Sequence, residues 1–231
     1  MATRPTDTPS GADRWAIDGL VLSACMSARR IEIADKELLY MQGEPATAVF
    51  LVLDGFAKVS HVAEDGTEIT TDLLTRTDIA GALPQSARSC HVHEEQAHAI
   101  GPLAARRVDS SELFLAMQTN AQLALLFAAY LTRSRQAAQR RIVRAMTQSV
   151  SRRVAETLVE LAHTFGARCP HGFSLEIKLT QQDIAGLIGA SRSVVSTVLN
   201  ELRSRGLLDY TRDMICVNDS ALALFAKQAK A

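Results

Sequence analysis

The stretch that decides the reading is residues 180–217, TQQDIAGLIGASRSVVSTVLNELRSRGLLDYTRDMICV. Thr180 is followed three residues later by Asp183, the spacing of a capping box with aspartate in place of glutamate. Ile184, Ala185, Leu187 and Ile188 then make a short amphipathic helix, which Gly189 ends as a C-cap glycine does. Ser191 is placed to start a second helix with Val194, Val195, Val198, Leu199 and Leu202 on its buried face, and Gly206 closes it. Residues 207–210 and 214–217 flank Thr211-Arg212-Asp213 and read as a small hairpin. Helix, tight glycine turn, helix and hairpin is the plan of a winged helix-turn-helix.

That plan carries a chemistry. A major groove admits one α-helix, and each base pair there shows its own pattern of donors and acceptors. Arg192, Ser193, Ser196, Thr197 and Asn200 lie away from the valine and leucine face of the second helix. Arg192 suits a bidentate contact with guanine, and the small hydroxyls suit bases or phosphates. Arg203 and Arg205, one to two turns later, suit phosphates, which position a protein on the duplex without reading its sequence. Thr180 and Gln181, at the start of the first helix, complete the candidate DNA contacts.

Charge points the same way. The net charge of zero hides an asymmetry: residues 1–130 hold 10 Lys and Arg against 17 Asp and Glu, and residues 131–231 hold 15 against 8. A basic second half suggests a polyanion as its partner, although solvated helix faces also collect basic residues.

Working outward, the chain changes rhythm. Residues 15–30 predict a short helix with Ile17, Leu20, Val21 and Ala24 on one side. From about residue 30 to 108, short apolar runs (31–33, 49–53, 57–62, 68–74) alternate with turn signals such as Gln42-Gly43-Glu44-Pro45, Asp54-Gly55, Asp65-Gly66 and Thr77-Asp78. That pattern predicts an antiparallel roll or barrel of about seven to eight strands. Asp109-Ser110-Ser111-Glu112 is a helix start, and residues 111–146 contain neither glycine nor proline. Leu123, Leu126, Phe127, Tyr130, Ser134 and Ala137 fall on one face. A helix of that length needs a partner. A parallel copy of itself would supply one by forming a two-fold dimer, and packing on its own β domain is the alternative. A further helix with Val154, Leu158, Leu161 and Ala162 follows Gln148-Ser149 and ends near Gly166. Residues 168–172 then read as a turn and 173–179 as a strand.

The expected fold class is therefore α+β. An N-terminal jelly-roll-like antiparallel β-roll (1–110) leads into a long dimerisation helix (111–147) and a C-terminal winged helix-turn-helix (148–231). Residues 180–217 closely resemble the DNA-binding module of the CRP/FNR superfamily of bacterial transcription regulators. Gln42-Gly43-Glu44-Pro45, the run 49–55, Glu64-Asp65-Gly66 and Thr77-Asp78-Ile79-Ala80-Gly81 resemble landmarks of that family's cyclic-nucleotide-binding roll. The resemblance implies a homodimer bound to double-stranded DNA at a two-fold operator, with RNA polymerase as a partner where the output is activation. It implies a base-contacting role for Arg192 and, in some members, for Ser196. Ser193 and Thr197 stand where many members carry glutamate and arginine, so the operator should differ from the best-known consensus.

The sensor departs from the family's pattern. Cyclic-nucleotide binders resemble one another in a Gly-Glu pair followed by Arg-Ser or Arg-Thr. Here Gly81-Ala82 stands at the Gly-Glu position and removes the ribose acceptor, which argues against a cyclic nucleotide; Arg88-Ser89 is the nearest phosphate candidate. Cys90, His91, His93 and His98 are candidate ligands for haem or a metal, with a solvated polar hairpin as the alternative. Tyr130, Arg133 and Ser134 could touch an effector, or serve only the dimer seam and the surface. A degenerate roll with no effector remains open as well. Clustered cysteines for an iron–sulfur centre are lacking, since Cys25 stands alone near the N-terminus.

Several classes are excluded on sequence. There is no phosphate loop, nucleophile elbow or HExxH, so an enzyme is not expected. No run approaches 18 uninterrupted apolar residues and residues 1–12 lack a signal-peptide core, so the expected compartment is the cytoplasm. Four cysteines without a CxxC predict neither a disulfide framework nor a zinc finger.

Overall fold

The computed structural model describes residues 11–83, 91–175, 177–210 and 214–221. After α1 (Gly11–Ala24), the alternating runs of the first half fold as one antiparallel sheet around two long strands, β3 (Ala48–Val62) and β6 (Gln96–Asp109). β1 (Arg29–Ile33) and β2 (Leu38–Tyr40) pair with β6, while β4 (Glu68–Leu74) and β5 (Ile79–Ala80) pair with β3. The period-2 alternation of β3 explains why the sheet has two cores. Val49, Leu51 and Leu53 pack with helical residues, whereas Phe50, Val52, Ala57 and Val59 pack with Tyr40, Leu103 and Ala105 on the other face.

The described strands number six where seven to eight were expected, and one turn signal reads differently. Asp54-Gly55 is not a hairpin. β3 runs straight through it, and the register against β6 shifts between Val52 and Asp54 and again between Asp54 and Phe56. An Asp-Gly pair serves a bulge as well as a turn, and the partner strand decides which.

The glycine-free and proline-free stretch after residue 110 is not one helix. α2 (Ser110–Thr119) is capped by Asp109, whose side chain accepts from the Ser111 and Glu112 amides. Asn120 then turns extended at φ −119, ψ 93. Its Oδ1 accepts the Leu123 amide at 3.0 Å and starts α3 (Ala121–Thr147) afresh, bent 116° from α2. The apolar stripe proposed for a partner also goes elsewhere. Leu123 and Phe127 are buried in the core with Val49, Leu113 and Ala116, and Leu126 and Tyr130 pack against it. α3 carries a second apolar face instead: Leu125, Leu131, Ile142, Val143 and Met146 are exposed, Ile142 at 60% and Met146 at 81%.

The second half opens with α4 (Val150–Phe165), whose Val154, Leu158, Leu161 and Ala162 are buried as the periodicity predicts. Glu156 ties the start of α4 to the end of α3, taking Arg152 at 2.8 Å, Arg144 at 3.5 Å and the Gln148 amide. β7 (Gly166–Cys169) and β8 (Gly172–Leu175) form a tight hairpin where a turn and a longer strand were expected. After α5 (Gln181–Ile188) and α6 (Arg192–Ser204), β9 (Leu208–Tyr210) and β10 (Ile215–Asn218) complete a four-stranded sheet ordered β7-β8-β10-β9.

The chain divides into two compact units. One comprises Met1–Val62 with Leu73–Arg135, and the other Ala63–Asp72 with Gln136–Ala231. The β3–β4 hairpin tip thus belongs with the C-terminal unit.

Candidate nucleic-acid interface

α5 begins with the capping box the sequence implied. The Thr180 hydroxyl accepts the Asp183 amide at 3.1 Å, and Asp183 Oδ2 accepts the Thr180 amide at 2.9 Å and its hydroxyl at 2.6 Å. Gly189 ends α5 in the left-handed region (φ 64, ψ 52), with its amide donating to Ala185 and Gly186. Glycine takes that conformation without the Cβ penalty that other residues carry there, which favours it at the turn that aims α6. α5 and α6 bury Ile184, Ala185 and Ile188 against Val195, Val198, Leu199 and Leu202.

That packing decides which side of α6 meets solvent. Arg192, Ser193, Thr197, Asn200 and Arg203 are exposed and Ser196 is half-buried, all away from the packed face. Thr197 Oγ1 donates to the Ser193 carbonyl at 3.1 Å, and the Ser191 and Ser193 hydroxyls lie 3.1 Å apart. Val194 differs from its expected burial: it is 42% exposed and sits beside this polar edge. Its position one residue before Val195 turns it about 100° off the core direction. Thr180 and Gln181 stand at the mouth of α5, exposed and half-buried respectively, with the Thr180 hydroxyl already engaged in the cap. Arg205 follows α6 and lies 3.8 Å from Glu201. The wing strands are β9 and β10; residues 211–213 between them lie outside the described residues.

In the β-roll, the candidate effector residues do not share one fate. Arg88, Ser89 and Cys90 lie outside the described residues. Gly81 is crowded by the protein's own rings: its amide donates to the Tyr40 hydroxyl at 3.0 Å, and a Cβ there would meet His93 Cε1 at 3.4 Å. Tyr40 and His93 stack with centroids 3.9 Å apart, and the Tyr40 hydroxyl donates to Glu95 at 3.3 Å. His93 is 3% exposed, and its Nδ1 has no hydrogen-bond partner among the described residues. Burial depresses its pKa, opposed by the Glu44 carboxylate. Burial and the Glu95 charge push the Tyr40 phenol far up, so it stays protonated. Ala82 is half-buried.

Tyr130 is occupied. Its hydroxyl accepts the Ile79 amide at 3.0 Å and donates to the Ile79 carbonyl at 3.1 Å, fastening α3 to β5. Arg133 is half-buried and Ser134 exposed. His91 and His98 are half-buried and do not join His93, and no group of three or more His, Cys, Asp or Glu among the described residues could hold a metal ion. One constellation escaped the sequence reading: the Cys169 and Cys216 sulfurs lie 3.3 Å apart.

A β-roll followed by a winged helix-turn-helix with an outward polar edge is the architecture of a DNA-binding regulator. Comparison with known proteins agrees. The family model described as a cyclic nucleotide-binding domain matches residues 30–120, and that of the Crp-like helix-turn-helix domain matches residues 152–223. The global nitrogen regulator of Nostoc sp. is 27% identical over 180 residues, covering 78% of this chain and 81% of its own. The CRP-like cAMP-activated global transcriptional regulator of Mycobacterium tuberculosis is 26% identical over 190 residues, covering 79% and 80%. The solved structure of FixK2 from Bradyrhizobium japonicum superposes with a TM-score of 0.70 at 23% identity, covering 86% of this chain and 96% of that one. The chain belongs to the CRP/FNR family of transcription regulators.

Proposed function

We propose that the protein is a homodimeric, sequence-specific regulator that lays α6 in the major groove of a two-fold operator. The observation that carries this reading is the two-sidedness of α6. Val195, Val198, Leu199 and Leu202 are buried, while Arg192, Ser193, Thr197, Asn200 and Arg203 face out. Arg192 reads guanine, Ser193, Ser196, Thr197 and Asn200 take bases or nearby phosphates, and Arg203, Thr180 and Gln181 take the backbone. Val194 adds an apolar surface of the kind that meets a thymine methyl.

In this reading residues 1–110 sense, 111–147 join two copies and 148–231 bind DNA. The joining surface is the exposed face of α3. Leu125, Ala128, Thr132, Arg135, Gln139, Ile142 and Met146 recur at alternating steps of three and four, the spacing of a coiled-coil seam, with the charged Arg135 at its middle. No single helix among the described residues is long and apolar enough to cross a membrane, which fits a regulator working in the cytoplasm on chromosomal DNA. RNA polymerase is its second partner if it activates, and no catalytic step is part of the reading.

The effector is not a cyclic nucleotide in this reading, although the Mycobacterium tuberculosis relative is described as cAMP-activated. Ala82 offers no carboxylate to a ribose, and Tyr40 and His93 crowd Gly81. The test is a gel shift on the protein's own promoter region against random duplex across a salt series. A specific site should bind at least about 10³-fold more tightly than random DNA. Equal, salt-governed affinity for both would refute the reading. An absorption spectrum without a Soret band removes haem, and a calorimetric titration with cyclic AMP showing no heat removes the nucleotide.

A further inference from the structure

We propose that Cys169 and Cys216 form a peroxide-oxidisable dithiol that closes a disulfide across the sheet of the winged unit. Their sulfurs are 3.3 Å apart although 47 positions separate them in sequence. The register explains the approach. Cys169 of β7 stands opposite Gly172 of β8, and Gly172 stands opposite Asn218 of β10. Cys216 lies two residues before Asn218 and so shares that face. Gly172 places no side chain between the two thiols. β8 also lies hard against β10 at this point, where a Cβ on Gly172 would meet the Val217 carbonyl oxygen at 2.1 Å. The sulfurs need to close by about 1.3 Å to reach the bond length of about 2.05 Å.

The two thiols are chemically unequal. Cys169 is half-exposed, and its pKa is lowered by the hydrogen bond with Cys216 and by the backbone at His171 and Gly172. Cys216 is buried, and desolvation pushes its pKa up to about 11. Cys169 is therefore the attacking residue and Cys216 the resolving one. The Cys169 thiolate attacks one oxygen of hydrogen peroxide. The O–O bond breaks, and the departing hydroxide leaves as water with the thiol's proton. The resulting sulfenic acid is attacked at sulfur by Cys216, whose proton leaves with the displaced hydroxide as a second water. Two thiols are oxidised to one disulfide, and one peroxide is reduced to two waters. The bond staples the two ends of the segment that holds α5, α6 and β9.

Treating the full-length reduced protein with one equivalent of hydrogen peroxide, then alkylating and mapping peptides without reductant, tests this. The expected product is a Cys169–Cys216 linked peptide with two thiols lost, reversed by dithiothreitol. Cys216→Ser should leave a Cys169 sulfenic acid that dimedone traps. Cys169→Ser should abolish the link and slow thiol loss at least about tenfold. A link through Cys25 or Cys90 in place of this pair would overturn the proposal. So would oxidation of wild-type Cys169 to sulfinic acid with no link formed, or thiols untouched by peroxide.

Discussion

Thr70 Oγ1 donates a hydrogen bond to Asp183 Oδ1 at 3.1 Å across 113 positions of sequence, and both residues are buried. The bond docks the tip of the β3–β4 hairpin on the first turn of α5, using the carboxylate oxygen that the capping box leaves free. Arg141 of α3 secures the same hairpin by donating to the Thr71 carbonyl and, at 2.7 Å, to Asp72. Asp183→Ala should cost about 1–3 kcal/mol, because the Thr180 amide loses its carboxylate acceptor while the Thr180 hydroxyl still caps the Asp183 amide. Combined with Thr70→Val in a double-mutant cycle, it should show a coupling of at least about 0.5 kcal/mol by urea unfolding. Additive losses would mean the hairpin contact contributes nothing in solution.

Gly186 tests the same docking from the other side. Alanine in a helix interior normally gains about 1 kcal/mol over glycine. Here a Cβ would stand 2.6 Å from the Thr70 amide nitrogen and 3.0 Å from its carbonyl oxygen. Backbone atoms cannot swing aside as a side-chain tip can. Gly186→Ala should therefore lower Tm, and a rise would show that the hairpin leaves α5 readily.

Arg192→Ala should weaken operator binding by about 1–3 kcal/mol and relax preference at a single base-pair position. Binding to random duplex should change far less. Titrations on the operator and on its single-base variants separate the two effects, and unchanged operator affinity would displace α6 from its assigned role.

Ile142 and Met146 face water in the single chain at 60% and 81% exposure. Ile142→Glu should leave folding stability within about 0.5 kcal/mol, as substitutions at exposed sites usually do. It should nevertheless shift the protein from dimer to monomer in sedimentation experiments, because the seam would bury an unpaired carboxylate. Retention of a full-strength dimer would place the joining surface elsewhere on the molecule.

His93 should make stability fall on the acid side. Burial holds its folded pKa below the unfolded value of 6.5. The unfolded chain therefore binds the proton more readily, and stability declines as pH drops from about 6.5 through the folded pKa. His93→Phe keeps a ring against Tyr40 and removes Nδ1. Urea unfolding at pH 7.5 and 5.5 should show a smaller acid-side loss in the variant than in the wild type.

The winged module was legible because its signals are local. Thr180 and Asp183 are three residues apart, Gly189 sits at the turn itself, and the valines of α6 announce their face by spacing. Where long-range pairing decides, the sequence was silent. Asp54-Gly55 could serve a turn or a bulge until β6 paired across it. Periodicity found an apolar stripe on α3 but could not say whether Leu123 and Phe127 faced the roll or a second copy. The helix break at Asn120 carried one overlooked clue, since asparagine is a preferred N-cap. Cys169 and Cys216 meet only through the register of three strands, so no spacing rule could have joined them.

The stack of Tyr40 on His93 beside Gly81 has a consequence for any visitor to the β-roll. A molecule seeking that corner competes with furniture already in place and must wait for the rings to swing out. Its apparent grip is diluted by the rarity of the vacated form, so evicting the tenants by shortening His93 to alanine should admit small guests that the intact protein turns away.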